Sequence, residues 1–583
     1  MPFTPTRSFI TIICLFLFQN VTLGIDISYP VSEITYRYGT PSKNLPDLNR
    51  LREAYISFEE EENKEFNLGA LMQGTPGIFT LSDLDIFRLT EIPVHFLKNE
   101  GLEGVVAFPD PQMIDPVSGR DLRRVGHYSL TIIIWFSILD RVTFEHEGLF
   151  KREGIRSQDA IKDYLFKNKA IGKPVRKEFF DEVAKIGKHS SRTSKLILTA
   201  SDAPGHVNAV VRTKRNKKPH FSLSTSNTGT PTTGEWIFSM AAQTDQLTGI
   251  DDQGAFGVSI SDSAESYGVF GSYYIPLVAP DILKIGTTVG YSSYDSSTYG
   301  FTKMDFNGEN LFVDTSLLWN PSSLQNENWN IGIRAGLKWE NVRAFNSIIN
   351  YDASVPMLTP EIELSLSSRG DYRIGRTALS LSGNTLSIDE KSKEALGGIN
   401  ATDRYVRFAI KHEESFLFGK WVGALMDGNA GEYLKRHIIN LKLEADFALT
   451  DERHLPQHQY ITGGTGSVRG YPESPVAGDH GQLISLEYRF PFMIIDSGKS
   501  QKLVWTFGTF IDWAHAQVNS PLFYESNQNL LGLGFSLNLP LPGGLYINTD
   551  FAKPLREVVS DGIPLNGTLS SDYRIHANLG WNF

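Results

Sequence analysis

The stretch YRIHANLGWNF, residues 573–583, sets Tyr573, Ile575, Ala577, Leu579, Trp581 and Phe583 against Arg574, His576, Asn578 and Asn582 at alternating positions. Side chains of an extended strand point to opposite faces with a period of two, so this stretch predicts a strand with one apolar and one polar face. A helix would scatter the same residues around its axis. The question is what covers the apolar face.

Working back along the chain, the alternation recurs as far as about residue 217. Phe221, Leu223 and Thr225 alternate with serines, and Trp236, Phe238, Met240 and Ala242 share one face of EWIFSMAAQ. Phe256, Val258 and Ile260 alternate with Gly257, Ser259 and Ser261, and Leu283, Ile285, Thr287, Val289 and Tyr291 repeat the pattern. Segments of about ten residues with apolar and small polar faces, separated by Asn, Asp, Gly and Ser turns, are what a transmembrane β-barrel requires. A soluble sandwich would bury the same faces against a second sheet, and periodicity alone does not separate the two. The aromatic content of 11% favours a membrane, whose two interfaces collect Tyr and Trp.

The other end of the chain bears on the same choice. MPFTPTRSFITIICLFLFQNVTLGIDIS carries Arg7, an apolar run from Phe9 to Phe18, and Thr22 and Gly24 before an expected cleavage site. This reads as a secretory signal peptide over 1–24. Its apolar run is too short for a spanning helix, which needs about 20 residues, and no later stretch is long enough. The one cysteine, Cys14, falls inside the signal, so the mature chain is expected to hold no disulfide and no cysteine metal site. An exported chain without disulfides or membrane helices is either soluble or a closed barrel, which satisfies its own backbone in lipid. The net charge of -11 argues against a general nucleic-acid binder.

Between signal and alternation, strand and helix patterns mix. VSEITYRY, EGVVAF and HYSLTIIIWF read as strands around TLSDLDIFRLTEIPVHFLKNEGL, a helical pattern interrupted by Pro93. DRVTFEHE and SKLILTASDAPGHVNAVVRT flank SQDAIKDYLFKN, with Ser157 as N-cap, and RKEFFDEVAKIGKHS, two short amphipathic helices. The expected organisation is two small α+β modules, 25–137 and 138–217, followed by 218–583.

GGTGSVRGYPES, residues 463–474, places Arg469 in a glycine-rich loop ahead of the strand GQLISLEYRFPF. Such an arginine could bind phosphate, decorate a hairpin or reach back to a buried carboxylate. SVRGY after a glycine pair resembles the loop signature of outer-membrane polypeptide-transporting barrels fed by POTRA domains. Within that superfamily the chain resembles the two-partner secretion translocators, the TpsB group of haemolysin secretion/activation proteins (ShlB/FhaC/HecB type). SNTGTPTTG (226–234) is similar to the group's DNxGxxxTG, with Ser226 in place of Asp. DAPGHVNAVV (202–211) resembles the turn before the last POTRA strand, YYIPL (273–277) an early barrel strand, and FGTFIDWAHA (507–516) the FxD strand, with Phe510 and Asp512 in the matching places. The terminal strand, with Trp581 and Phe583, resembles the assembly signal read by the barrel-assembly machinery.

The resemblance implies a transmembrane antiparallel β-barrel of about 16 strands over 218–583, since spans of about ten residues plus loops fit that length. Two POTRA domains would precede it in the periplasm, and the barrel would sit in the bacterial outer membrane as a monomer. It implies export, sometimes activation, of a large secreted TpsA-like exoprotein, without ATP, cofactor or nucleic acid. It also implies that the loop of Val468, Arg469, Gly470 and Tyr471 folds into the lumen, bent at Gly463, Gly464 and Gly466, so that Arg469 pairs with Asp512. A barrel-assembly insertase of the BamA type is the alternative; it shares the loop motif but usually carries more POTRA domains. The group's pore-plugging N-terminal helix finds no counterpart near Ile25, so a plug is not expected.

Enzyme signatures are thin. FEHEGLF lacks a second His four residues after His146, and HLPQH, with His454 and His458, holds a proline and reads as a turn rather than a metal site. No G-x-S-x-G elbow or GxxxxGK cradle appears, and LMDGNAGE lacks calcium-loop spacing. The chain is therefore read as neither an enzyme nor a metalloprotein. The basic run RTKRNKKPH and the acidic FEEEENKEF read as solvated segments.

Overall fold

The computed structural model describes residues 28–39, 45–58, 65–74, 77–147, 155–187, 189, 192–203, 205–215, 219–230, 232–278, 282–296, 306–321, 328–423, 429–496, 502–522, 525–560, 562–565 and 567–583. The signal segment 1–24 and parts of the acidic, basic and LMDGNAGE runs lie outside them. The chain divides into an N-terminal unit, ending at Arg215, and a unit that holds the rest.

In the N-terminal unit, strand Glu33–Tyr38 runs parallel to Ser129–Trp135, whose other edge pairs with Val106–Pro109. Helix Asp83–Asn99 packs Leu89 and Leu97 into one core with Ile34, Leu130, Ile132 and Ile134. Ser82 opens that helix with a reciprocal cap, accepting from Asp85 N–H while the Asp85 carboxylate accepts from Ser82 N–H. Pro93 does not interrupt it. A proline removes the bond to the carbonyl four residues back. Here that carbonyl, on Leu89, accepts instead from the buried Tyr36 hydroxyl at 3.0 Å, so a contact distant in sequence repairs the break.

The second sheet of this unit places His206–Arg215 between Ile138–Glu147, parallel to it, and Arg192–Ala200, antiparallel. Helices Ile155–Asn168 and Lys177–Gly187 cover it, burying Ile161, Phe179 and Val183 against Leu139, Ala209 and Val211. The first of these helices begins two residues before Ser157, which is therefore inside it rather than its cap.

The second unit is a closed barrel of sixteen strands, each antiparallel to its neighbours. In chain order they are β1 (His220–Ser226), β2 (Ile237–Thr244), β3 (Gln253–Ser261), β4 (Ser266–Val278), β5 (Leu283–Ser296), β6 (Phe306–Trp319), β7 (Trp329–Asn346) and β8 (Tyr351–Arg369). They continue as β9 (Arg373–Gly383), β10 (Val406–Phe416), β11 (Ile438–Ala448), β12 (His480–Asp496), β13 (Lys502–Gln517), β14 (Gln528–Pro540), β15 (Leu545–Pro554) and β16 (Arg574–Asn582). Pro276, in YYIPL, falls where the β4–β5 register shifts, a place where a missing N–H is tolerated.

Closure resolves the choice that periodicity left open. Among the described residues no second sheet covers the apolar faces, which point outward: Phe238, Ile362 and Leu533 are each at least half exposed. An apolar belt of this extent is stable in hydrocarbon and not in water. The inner face is polar and ionic. Arg334 meets Asp314 and Glu361, Lys338 meets Glu340 at 2.6 Å, and Arg407 meets Asp446. No described helix is long and apolar enough to cross a membrane; here strands do so.

β1 and β16 meet over five register pairs, Ser222–Ser226 with Asn578–Asn582, and Phe221 and Phe583 exchange backbone bonds of 3.0 and 2.9 Å at one end of the seam. At its other end, beyond the paired residues, Asn227 donates to Ile575 O and accepts from Ala577 N–H, each at 2.7 Å. The asparagine of SNTGTPTTG thus extends the seam where the strands part. Trp581 points outward and donates to Gly543 O at 2.8 Å, while the Phe583 ring stacks on Phe221.

Candidate functional site

The segment between β11 and β12, 449–479, is too long to be a simple turn. Tyr460–Thr462 pairs with Val476–Gly478 to make a narrow hairpin, and its tip, 463–475, carries the arginine motif. The tip is built to bend. Gly463 and Gly464 hold φ of 106° and 93°, which side chains resist, while Gly466 has an ordinary φ and open space around it. Gly470, at φ 98°, lies so close to the wall that a Cβ would come within 2.9 Å of the Lys553 carbonyl carbon.

Arg469 rests on the inner face of β13. Its Nε and Nη2 donate to the two Asp512 oxygens at 2.7 and 2.9 Å, and its backbone N–H donates to Asp512 at 3.1 Å. A planar guanidinium suits this bidentate geometry. The guanidinium carbon lies 3.3 Å from the centre of the Phe510 ring, so the two residues of the FxD stretch that share the lumen face both touch it. Asp512 is fully buried and also accepts from the Ser485 hydroxyl at 2.6 Å. A buried pair of this kind locates a loop more than it stabilises a fold, because desolvation offsets much of the attraction.

Val468 and Tyr471, on either side, are fully buried. The Tyr471 hydroxyl donates to Arg556 O at 2.7 Å and accepts from Leu531 N–H at 3.1 Å, tying the tip to β14 and to the segment after β15. Gly470 N–H approaches His576 Nε2 at 3.4 Å on the lumen face of β16.

Four further residues belong to the site. Glu487 and Asp550 stand 3.4 and 3.7 Å from Arg469 Nη1, and Arg489 donates to Glu487 at 2.8 and 2.9 Å. Three carboxylates thus face two guanidinium groups. Ser485 and Glu487 share the parity of Arg489 in GQLISLEYRFPF, so alternation could have found them; Asp550 carries no such local signal. The fourth, Gly532, lies opposite Asp512 in the β13–β14 register, and a Cβ there would come 2.0 Å from Arg469 O. Its bare backbone is the notch that receives the loop.

Outside this clasp, lumen-facing Val342, Ala344, Ala353, Val355 and Met357, at the outer ends of β7 and β8, form an apolar core with helix Glu390–Ala395 and Leu455. His454 and His458 flank the Tyr405 ring in the same cap, and His458 Nδ1 lies 2.9 Å from the Tyr405 hydroxyl.

A sixteen-strand barrel with outward apolar faces, an ionic lumen and a long inward loop, following two small α+β modules, defines an outer-membrane β-barrel protein. Residues 205–537 match the family described as haemolysin secretion/activation protein ShlB/FhaC/HecB, and the chain belongs to that family. It is accordingly an outer-membrane protein of the two-partner secretion type. Among solved structures, CdiB from Escherichia coli is 13% identical, with TM-score 0.62 over 100% of this chain and 93% of that one. CdiB from Acinetobacter baumannii is 12% identical, with TM-score 0.57 over 97% and 92%. BamA from Haemophilus ducreyi lacking POTRA domains 1–3 is 13% identical, with TM-score 0.53 over 95% and 100%. At these identities the likeness is one of fold. No curated protein matches the chain in sequence.

Proposed function

We propose that this barrel exports a dedicated, large exoprotein partner, captured unfolded by two POTRA domains spanning 25–137 and 138–217. The single observation that carries the mechanism is the Arg469–Asp512 clasp, because it holds a long loop inside the path a polypeptide would take. The modules bind partner segments by adding a strand to a sheet edge, where main-chain bonds supply affinity and side-chain pockets supply choice. The polar lumen passes the extended chain. Folding outside the cell buries apolar surface and makes return unfavourable, so no nucleotide is consumed. Arg469 and its neighbours position the path, and Trp581 and Phe583 direct insertion by the barrel-assembly machinery.

A photo-cross-linking residue at Glu413, exposed on the inner face of β10, tests this reading. Adducts with one or a few large exoproteins support export. Adducts with nascent outer-membrane barrels support an insertase instead, and the absence of polypeptide adducts contradicts both.

A further inference from the structure

Among the described residues the outer face of the barrel carries few ion pairs: Glu309 faces Arg343 at 3.7 Å near the far ends of β6 and β7, and a second charged group lies on β9 and β10. On β9 and β10, register pairs Leu381 with Phe408 and Leu379 with Ile410 on the lipid-facing side, and the same face continues to Thr377 opposite His412 and Gly375 opposite Glu414. Arg373, the first residue of β9, completes the group. Ionisable side chains on this face are costly at the membrane midplane and cost little at its edge. These lie at the edge: Glu414 is two residues from the end of β10, at the end of the barrel where β1 begins and β16 stops. That end follows the N-terminal modules in the chain and faces the periplasm.

His412 Nδ1 lies 2.9 Å from Thr377 Oγ1, but the ion pairs of the cluster are long. Arg373 Nη1 stands 3.9 Å from Glu414 Oε1, and His412 Nε2 stands 3.4 Å from Glu414 Oε2, both longer than a strong charge-assisted bond. Between the cation and the strands beyond it the floor is small, Gly375 with Ser368 beside it on β8. Trp329 lies under the Arg373 guanidinium at 5.9 Å, an amphipathic ring at headgroup depth.

A second feature adjoins it. Leu443 of β11, opposite His412 in the register, lines a groove of about 200 Å³ together with Ile410, Ala445, Ile484 and Trp513. The groove is a dent because Ala445 lies between the larger Ile410 and Gln482. Ala445 lies four positions along β11 from Leu441, the residue opposite Glu414, or about 13 Å at strand rise. An acyl chain spans that distance.

We propose that Arg373, His412, Glu414 and the adjoining β10–β13 groove form a binding site for one aminophospholipid of the periplasmic leaflet. The phosphate sits on Arg373, the ammonium on Glu414 with His412 beside it, and one acyl chain lies in the groove. A headgroup with phosphate alone would leave Glu414 facing a second negative charge; one that carries both signs satisfies both side chains. This goes beyond the general contact that any barrel makes with its bilayer, because it names one headgroup chemistry at one place.

Native mass spectrometry of the full-length protein, freed from micelles after addition of either phosphatidylethanolamine or phosphatidylglycerol, tests it. One phosphatidylethanolamine is expected to survive activation that strips phosphatidylglycerol. Arg373→Gln and Glu414→Gln should each lower its retention about tenfold, the loss of one charge-assisted contact. Ala445→Phe, which fills the groove and leaves the charges alone, should lower it as well. Heat-modifiable gel mobility checks that each variant folds. Equal retention of both lipids, or retention indifferent to all three substitutions, overturns the proposal and marks the lipid as annular.

Discussion

Arg469 is the residue on which transport turns in this account. Arg469→Ala should leave the barrel assembled, since no ladder bond of the strands or of the β1–β16 seam depends on its side chain, yet abolish appearance of the partner in the medium. Gel mobility and secretion assays separate those two outcomes. Failure to assemble would make the pair structural, and unchanged secretion would remove the loop from the mechanism. Asp512→Ala removes the bidentate acceptor and leaves Arg469 only the longer contacts with Glu487 and Asp550, so the loop should undock. Protease sensitivity of 463–475 on intact cells would register it. Gly532→Val reaches the same end from the wall, because its side chain would occupy the place of Arg469 O, 2.0 Å from a Cβ at that position.

His458 supplies a pH dependence. Burial, with Lys338 and Arg407 nearby, pushes its imidazole down to about 3. Glu340, at 3.8 Å, would favour the proton but is already engaged by Lys338 at 2.6 Å. Above the ordinary histidine pKa both docked and undocked cap are neutral, and His458 adds nothing to the pH dependence. As pH falls from about 6.5 towards 3, the undocked form takes up the proton that the docked form refuses, so the cap loses stability. Hydrogen-exchange protection of the 384–405 segment, taken against the intrinsic rate at each pH, should therefore be lower at pH 5 than at pH 7, and His458→Gln should reduce the difference.

Among the elements, what was legible followed from local rules and what was not depended on distant partners. Alternation alone marked β1, β2, β3, β5 and β16, because a sheet with lipid outside and water inside imposes that pattern on every span. It did not separate barrel from sandwich, which is decided by closure. Pro93 read as a break because Tyr36, far away in sequence, supplies the missing bond. The loop motif drew attention to Arg469, but Glu487, Asp550 and Gly532 reach it only because β12, β14 and β15 curve to the same place. Asn227 was visible within a motif whose physical purpose was not. At the element scale it carries a prediction: Asn227→Ala removes two bonds that extend the β1–β16 seam and should lower the temperature at which the barrel loses its compact gel mobility. An unchanged transition would show that the five register pairs suffice.

At the scale of the whole molecule, the protein is proposed to be a pore whose wall holds the 449–479 loop inside it and which serves a single partner class. Quantitative proteomics of a strain depleted of this protein, comparing culture medium with outer membrane, tests that claim most directly. Loss of one or a few large exoproteins from the medium, with the outer-membrane barrel proteome intact, is the expected result. A broad fall in outer-membrane barrels, with secretion otherwise unaffected, would contradict it and make the protein an insertase.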